Sequence, residues 1–283
     1  AVRTKILSVE KIYDRLDDRF NLLTGGRRTS LPRQQTLKAL IDWSYDLLPE
    51  KEKILWGRLS VFTDGWTLES AEEICSDEKI SYQEIFDLLI TLVEKSIILY
   101  DDVKERYRIL ETIKQYGEAK LRESDEAELI LSKHLHYFME LSETAETGLN
   151  GSGTLEWLDK LESEHGNLQS AIAWSLKNGN REEGQRLAGA LGNFWIIRGH
   201  YSTGRLLLES ILKDIHEISK TVLGKILLRA GGLSRLQGDT EKAKNYYEES
   251  LALSREQDNK QRIIECLNDL GIIENNQGNY EQA

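Results

Sequence analysis

A period of 39 to 40 residues constrains this chain more than any other feature it carries. Gly192, Gly199 and Gly204 recur as Gly231, Gly238 and Ala243, and again as Gly271, Gly278 and Ala283; Gly199 to Gly238 is 39 residues and Gly238 to Gly278 is 40. Each unit reads as a helix, a tight turn and an antiparallel helix. The turns are Arg198-Gly199-His200-Tyr201, Gln237-Gly238-Asp239-Thr240 and Gln277-Gly278-Asn279-Tyr280. One such unit cannot bury its apolar face alone, whereas stacked units share a continuous core. Small residues at Gly192, Gly231, Gly271 and Ala243 are expected to let helix backbones approach closely. The third unit stops at Ala283, where its second helix is due, so the chain is expected to be a fragment of a longer array.

Upstream of the repeats the pattern is mixed. Leu7, Ile12, Leu16, Phe20 and Leu23 predict a helix that ends at Gly25-Gly26, and residues 27–33 read as a basic, extended connector. Leu37, Leu40, Ile41, Leu47 and Leu48 form one apolar stripe. Pro49 is placed to open the next helix, which carries Ile54, Leu55, Leu59 and Phe62. After the Asp64-Gly65 turn a short helix is expected over 67–75, with Leu68, Ala71 and Ile74 inward. Ser81 and Glu84 have the spacing of a capping box, opening an amphipathic helix with Ile85, Leu88, Leu89, Leu92 and Val93. Residues 97–100 and 107–110 then read as a β-hairpin around Asp101 and Asp102. Three helices followed by a hairpin is the order of a winged helix. Beyond Glu111 only helices are expected, over 111–122 and 126–147, with a break at 148–153, a cap at Thr154 and punctuation at Gly166-Asn167 and 178–180.

The fold class is therefore mainly α: a winged-helix domain with a small β-hairpin, then a helical repeat superhelix. The boundaries expected are 1–30 for the end of a preceding helical domain, 31–122 for the winged helix, 123–180 for linking helices and 181–283 for the repeats.

Charge limits the partners. The net charge is −11, with 20 Lys/Arg against 23 Asp/Glu in residues 1–124 and 17 against 25 in residues 125–283. Neither half has the cationic excess that neutralising nucleic-acid phosphates requires. In a DNA-reading winged helix the third helix presents donors to base edges. Here its outward residues are Gln83, Glu84, Asp87, Thr91 and Glu94, which suit protein rather than DNA. No apolar run approaches the ~18 residues of a membrane span. Cys75 and Cys266 form no redox or metal spacing, and a reduced, cytoplasmic setting is expected.

Catalytic signals are missing, and the chain by itself is not expected to be an enzyme. Its Gly224-Lys225 pair lacks the upstream glycine of a phosphate loop. His134 and His136 face different sides of one helix, and His165, His200 and His216 stand alone in the sequence, so no metal site is expected.

Two resemblances rest on these residues. The run Gln237-Gly238-Asp239-Thr240-Glu241-Lys242-Ala243-Lys244-Asn245-Tyr246-Tyr247 resembles the second half of a tetratricopeptide repeat, although the period exceeds the usual 34. In that geometry the first helix of each unit lines a concave groove, here with Arg186, Asn193, Lys225, Arg235, Asn268 and Asn275. Their cations and amides suit an acidic or C-terminal carboxylate ligand. A stand-alone protein-docking scaffold would need no more.

The ordered series 14–37, 41–48, 59–62, 107–116 and 167–174 resembles bacterial signal-transduction ATPases of the STAND class. These include the large ATP-binding regulators related to AfsR and LuxR. That resemblance implies a nucleotide-binding domain preceding this chain, clamped by the winged helix. It also implies ATP or ADP in the parent protein but not in this fragment, and an inducer or protein partner on the repeats. Related NB-ARC proteins sense nucleotide through a Met-His-Asp motif in the winged helix. Its position falls on Ile109-Leu110-Glu111, where Leu110 cannot hydrogen-bond a phosphate. The resemblance thus makes Leu110 and Glu111 a degenerate cofactor-binding position, and a packing role for Ile109 and Leu110, with Glu111 favoured by the helix dipole, is expected at least as much.

Overall fold

The computed structural model describes residues 32–149, 151, 153–178, 180–213 and 218–276. The helix expected over residues 6–23, the domain 1–30, His216 and the third turn at Gly278 lie outside these. Among the described residues the architecture is mainly α, with thirteen helices and one two-stranded antiparallel sheet. The chain divides into two compact units, residues 1–133 and 134–283.

In the first unit, helix α1 (Pro32–Asp46) precedes α2 (Glu50–Leu59), α3 (Leu68–Cys75) and α4 (Tyr82–Glu94). Strands β1 (Ile98–Asp101) and β2 (Arg106–Ile109) follow, then α5 (Glu111–Glu123). This is the winged-helix order. Pro32 and Arg33, expected in the connector, belong to α1 instead, and the fixed φ of Pro32 suits the first helical position. Pro49 is the cap rather than the first residue of α2. Thr67 caps α3 by accepting from Ser70 N–H, and the Glu84 carboxylate reaches back 3.0 Å to the Ser81 N–H at the start of α4. The hairpin pairs Ile98 with Ile109 and Asp101 with Arg106. A pairing not legible in the sequence joins Trp66 to Tyr107 through two backbone hydrogen bonds of 2.9 and 2.8 Å.

The core of this unit gathers Leu55, Trp56, Leu59, Phe62, Trp66, Ile74, Ile80, Ile85, Leu89 and Leu92. Arg58 lies among them with no exposed surface. Its guanidinium donates to Cys75 O at 2.7 Å, Asp77 Oδ2 at 2.6 Å and Glu126 Oε2 at 3.0 Å. The expected stripe on α1 is only half buried. Ile41 and Leu48 face inward, while Leu40 and Leu47 are 55% and 64% exposed, beside Trp43, which the stripe did not include, at 63%. The 3.6-residue turn carries these three to a different face.

Helix α6 (Ala127–Gly148) contains the division between the units. Beyond it come α7 (Thr154–Ser163), α8 (His165–Asn178), α9 (Arg181–Arg198), α10 (Tyr201–Leu212), α11 (Lys220–Leu236), α12 (Thr240–Glu256) and α13 (Lys260–Asn276). Two details differ from expectation. Thr154 is the first helical residue and sends its hydroxyl back to Gly151 O at 2.7 Å, so it does not cap. Gly166 and Asn167 lie inside α8; the interruption is at Glu164, where the buried Asn167 amide donates to the Glu164 carboxylate at 2.6 Å.

The helical hairpins α9–α10 and α11–α12 are the repeat units, and α9 packs on α11 as α12 packs on α13. Their turns need residues with positive φ: Gly199 has φ +79° and Gly238 has φ +82°, a region glycine enters without strain. The small residues work differently from expectation. A Cβ at Gly231 would lie 2.7 Å from the Tyr247 ring, and one at Gly204 would lie 2.7 Å from the Trp195 ring. The notches receive aromatic rings from the antiparallel helix rather than a neighbouring backbone. A methyl added in either notch would force the ring to shift, at a cost of about 1–3 kcal/mol.

Candidate ligand site

The inner helices of successive units, α9, α11 and α13, meet α6 around a pocket of about 310 Å³. Its walls carry Glu146, Asn193, Lys225, Arg229, Asn259, Gln261, Arg262 and Glu265. The local sequence explains the convergence. Gly189 on α9 faces the Lys225 side chain, Gly192 faces the stem of Arg229, and Gly224 on α11 faces the Arg262 guanidinium. A glycine on one inner helix thus makes room for a cation from the next.

Two of these cations reach a carboxylate, although Arg229 Nε is itself buried without a partner. Lys225 Nζ donates to Glu146 Oε2 at 2.6 Å, and Arg229 Nη1 to Glu265 Oε2 at 3.3 Å. Arg262 does not. It is 7% exposed, its Nη1 is buried without a hydrogen-bond partner, and a Cβ on Gly224 would lie 2.6 Å from that atom. Burial holds the Arg262 guanidinium below its ordinary pKa, the signature of a cation stripped of water before it is paired. Three cations against two carboxylates give the lining a net charge of +1. In a chain of net charge −11, that is a local reversal.

Of the six groove residues expected from the sequence, the pocket brings together Asn193 and Lys225. Arg186 makes a two-point contact with Glu143, at 2.9 and 2.7 Å. Arg235 lies 3.5 Å from both Tyr247 Oη and Asp269 Oδ1. Asn268 and Asn275 are exposed on α13. Sequence reasoning missed Arg229 and Arg262. The spacings from Gly189 to Lys225, Gly192 to Arg229 and Gly224 to Arg262 are 36, 37 and 38 residues, so the signal was a glycine-to-cation period. The Gly224-Lys225 pair, which forms no phosphate loop, contributes to this pocket from both residues.

In the first unit, Leu110 caps α5 and is 54% exposed, which corrects the expectation that it packs. A side chain at the cap, with ψ 141°, projects off the helix end rather than beneath it. Glu111 is exposed and accepts from Gln115 Nε2 at 2.9 Å. The outward face of α4 also holds more than its carboxylates. Tyr82, Phe86 and Ile90, at i, i+4 and i+8, are each 41–45% exposed and form an apolar stripe beside Asp87 and Glu94. Among the described residues no helix is long and apolar enough to cross a membrane.

Comparison with known proteins adds family context. Residues 223–283 match the tetratricopeptide repeat family. Over 216 residues the chain is 38% identical to a Mycobacterium tuberculosis protein named "Putative HTH-type transcriptional regulator" and to a Mycobacterium bovis protein of the same name. The match covers 76% of this chain and 24% of each relative, so the chain spans about a quarter of their length. An uncharacterized Mycobacterium tuberculosis protein is 32% identical over 154 residues, covering 53% of this chain and 39% of that protein. No solved structure matches the chain.

Proposed function

We propose that this chain is the regulatory and sensor portion of a STAND-type, ATP-binding regulator of transcription. In this reading the winged-helix unit holds a nucleotide-binding domain of the same protein, and the repeats receive an acidic partner or inducer. The observation that carries it is the face of α4. A helix that would read DNA in other winged helices exposes Tyr82, Phe86 and Ile90 beside Asp87 and Glu94. Phosphates would be repelled there, whereas a protein surface gains the apolar area. The exposed Leu110 lies where the nucleotide-sensing motif would be, and supports a contact partner rather than a phosphate ligand. ATP or ADP binding and any hydrolysis belong to the nucleotide-binding domain, and this chain carries no reaction of its own. Similarity to proteins named as transcriptional regulators supports the regulatory reading.

Calorimetry of this chain with the nucleotide-binding domain of such a regulator tests the clamp. Association is expected, and Phe86→Glu is expected to weaken it at least ~10-fold while leaving thermal stability unchanged, since Phe86 is half exposed. No association, or association indifferent to Phe86→Glu, would defeat the clamp. The sensor half is tested separately with peptides that differ only in a free or amidated C-terminus; the free carboxylate is expected to bind the pocket at Arg262.

A further inference from the structure

Two histidines that stand 35 residues apart in the sequence meet in the second unit. The His165 and His200 rings lie 4.1 Å apart between centroids, tilted by 42°. Glu162 joins them, its two carboxylate oxygens 2.9 and 3.0 Å from His200 Nε2. One ligand atom from each of the three lies within 4.8 Å of those of the others. The local fold explains the convergence. Glu162 is in the last turn of α7 and His165 opens α8, so the two sit either side of the interruption at Glu164. His200 caps α10 directly after the left-handed Gly199, and its imidazole meets Glu162 and His165.

We propose that Glu162, His165 and His200 bind a divalent transition-metal ion of the zinc class. Two imidazoles and one carboxylate are the donor set that zinc accepts, and soft-ligand or all-oxygen ions have no preference for it. At bond lengths of about 2.0–2.1 Å the edge of a tetrahedral site is roughly 3.4 Å, so small side-chain rotations close the present spacing onto an ion. The surroundings fit a metal centre. The Phe194 ring packs against both imidazoles at 5.5 and 5.6 Å. The Gln169 amide lies 2.9 Å from His165 Nε2, where its oxygen, turned to that nitrogen, would accept the N–H of an imidazole that ligates through Nδ1. The His200 and Glu162 side chains are 27% and 43% exposed, so an ion can enter from solvent. Three protein ligands leave a fourth position for water or a group from a partner. The ion would fasten the α7–α8 junction to the first repeat turn, making the stability of the array depend on metal.

Zinc titration of the whole chain by calorimetry, with equilibrium dialysis for stoichiometry and a thermal melt, tests the site. One zinc per chain and a raised Tm are expected. His200→Ala and Glu162→Gln, both at accessible side chains, are each expected to weaken binding by about 100-fold, since even second-shell losses cost 10- to 100-fold. His136→Ala, at a histidine paired instead with Glu183, is expected to change nothing. Cobalt in place of zinc is expected to give the visible absorption of a four-coordinate site, lost in His200→Ala. Absence of stoichiometric zinc binding, binding unaltered by both ligand substitutions, or binding lost in His136→Ala would each overturn the assignment.

Discussion

Each unit of this protein buries an arginine, and the two are handled in opposite ways. Arg58, in the winged-helix unit, is fully enclosed and meets a backbone carbonyl and two carboxylates at hydrogen-bond distance. Arg262, in the repeat unit, is 7% exposed yet leaves Nη1 without a partner. A buried cation with its counter-charges in place fixes a structure. One whose neighbouring carboxylates, here Glu146 and Glu265, leave a buried N–H unbonded carries a desolvation cost that an incoming anion can relieve. The contrast separates a structural arginine from a ligand-ready one.

The largest expected effect comes from breaking the satisfied site. Arg58→Ala removes the partner shared by Asp77 and Glu126 and opens a void in the buried core. A loss of about 3–5 kcal/mol in chemical denaturation is expected. The Arg58→Lys variant is expected to recover only part of it, because one ammonium cannot reach three acceptors arranged for a planar fork.

Acid attacks the same site more gently. The hydrogen bond from Arg58 holds the Asp77 carboxyl down to about 2 from an ordinary value of 3.8. Because the folded value is depressed, the stabilisation is complete above pH 4 and is lost as pH falls toward 2. The difference corresponds to at most about 2 kcal/mol, reduced by the solvent that reaches the Asp77 side chain. Denaturation of the native chain and Asp77→Asn across that window checks this: the native chain is expected to lose stability more steeply, and equal slopes would remove Asp77 from the account.

Much of this organisation was legible in the sequence, for reasons of periodicity. The amphipathic α4, the capping residue Ser81, the hairpin and the turns at Gly199 and Gly238 all follow from local rules that act over a few residues. What was not legible required knowledge of which helices face each other. Leu40 and Leu47 read as core and are exposed; Gly231 reads as a backbone contact and seats a ring. The pocket residues Arg229 and Arg262 were hidden for the same reason. A buried charge looks like any surface arginine until the glycine opposite it is known. His165 and His200 met only after two hairpins had stacked.

The unsatisfied arginine predicts a smaller effect on stability. Arg262→Met replaces an unpaired buried cation with an apolar side chain of similar length, so stability is expected to change by no more than about 1 kcal/mol, in either direction. Binding of a free-carboxylate peptide is expected to disappear with it. A loss approaching that of Arg58→Ala would mean that Arg262 is structural after all, and the contrast between the two arginines would fail.

The smallest stability change and the sharpest separation are expected at Gly224. Its missing Cβ is the space in which Arg262 Nη1 lies, at 2.6 Å. Alanine in mid-helix gains up to about 1 kcal/mol of helix propensity over glycine. Against that gain, the end of a flexible side chain must move aside, while the Ser250 hydroxyl still donates to the Gly224 carbonyl at 2.7 Å. The two terms nearly cancel, so Gly224→Ala is expected to melt within a degree or two of the native chain. The guanidinium, however, can no longer occupy its place. Carboxylate-peptide affinity is therefore expected to fall about 10-fold without any change in charge, an outcome that attributes recognition to where Arg262 is held rather than to its presence. Unchanged affinity in Gly224→Ala, with Arg262→Met still defective, would show that the positive charge alone suffices and that the glycine notch is incidental.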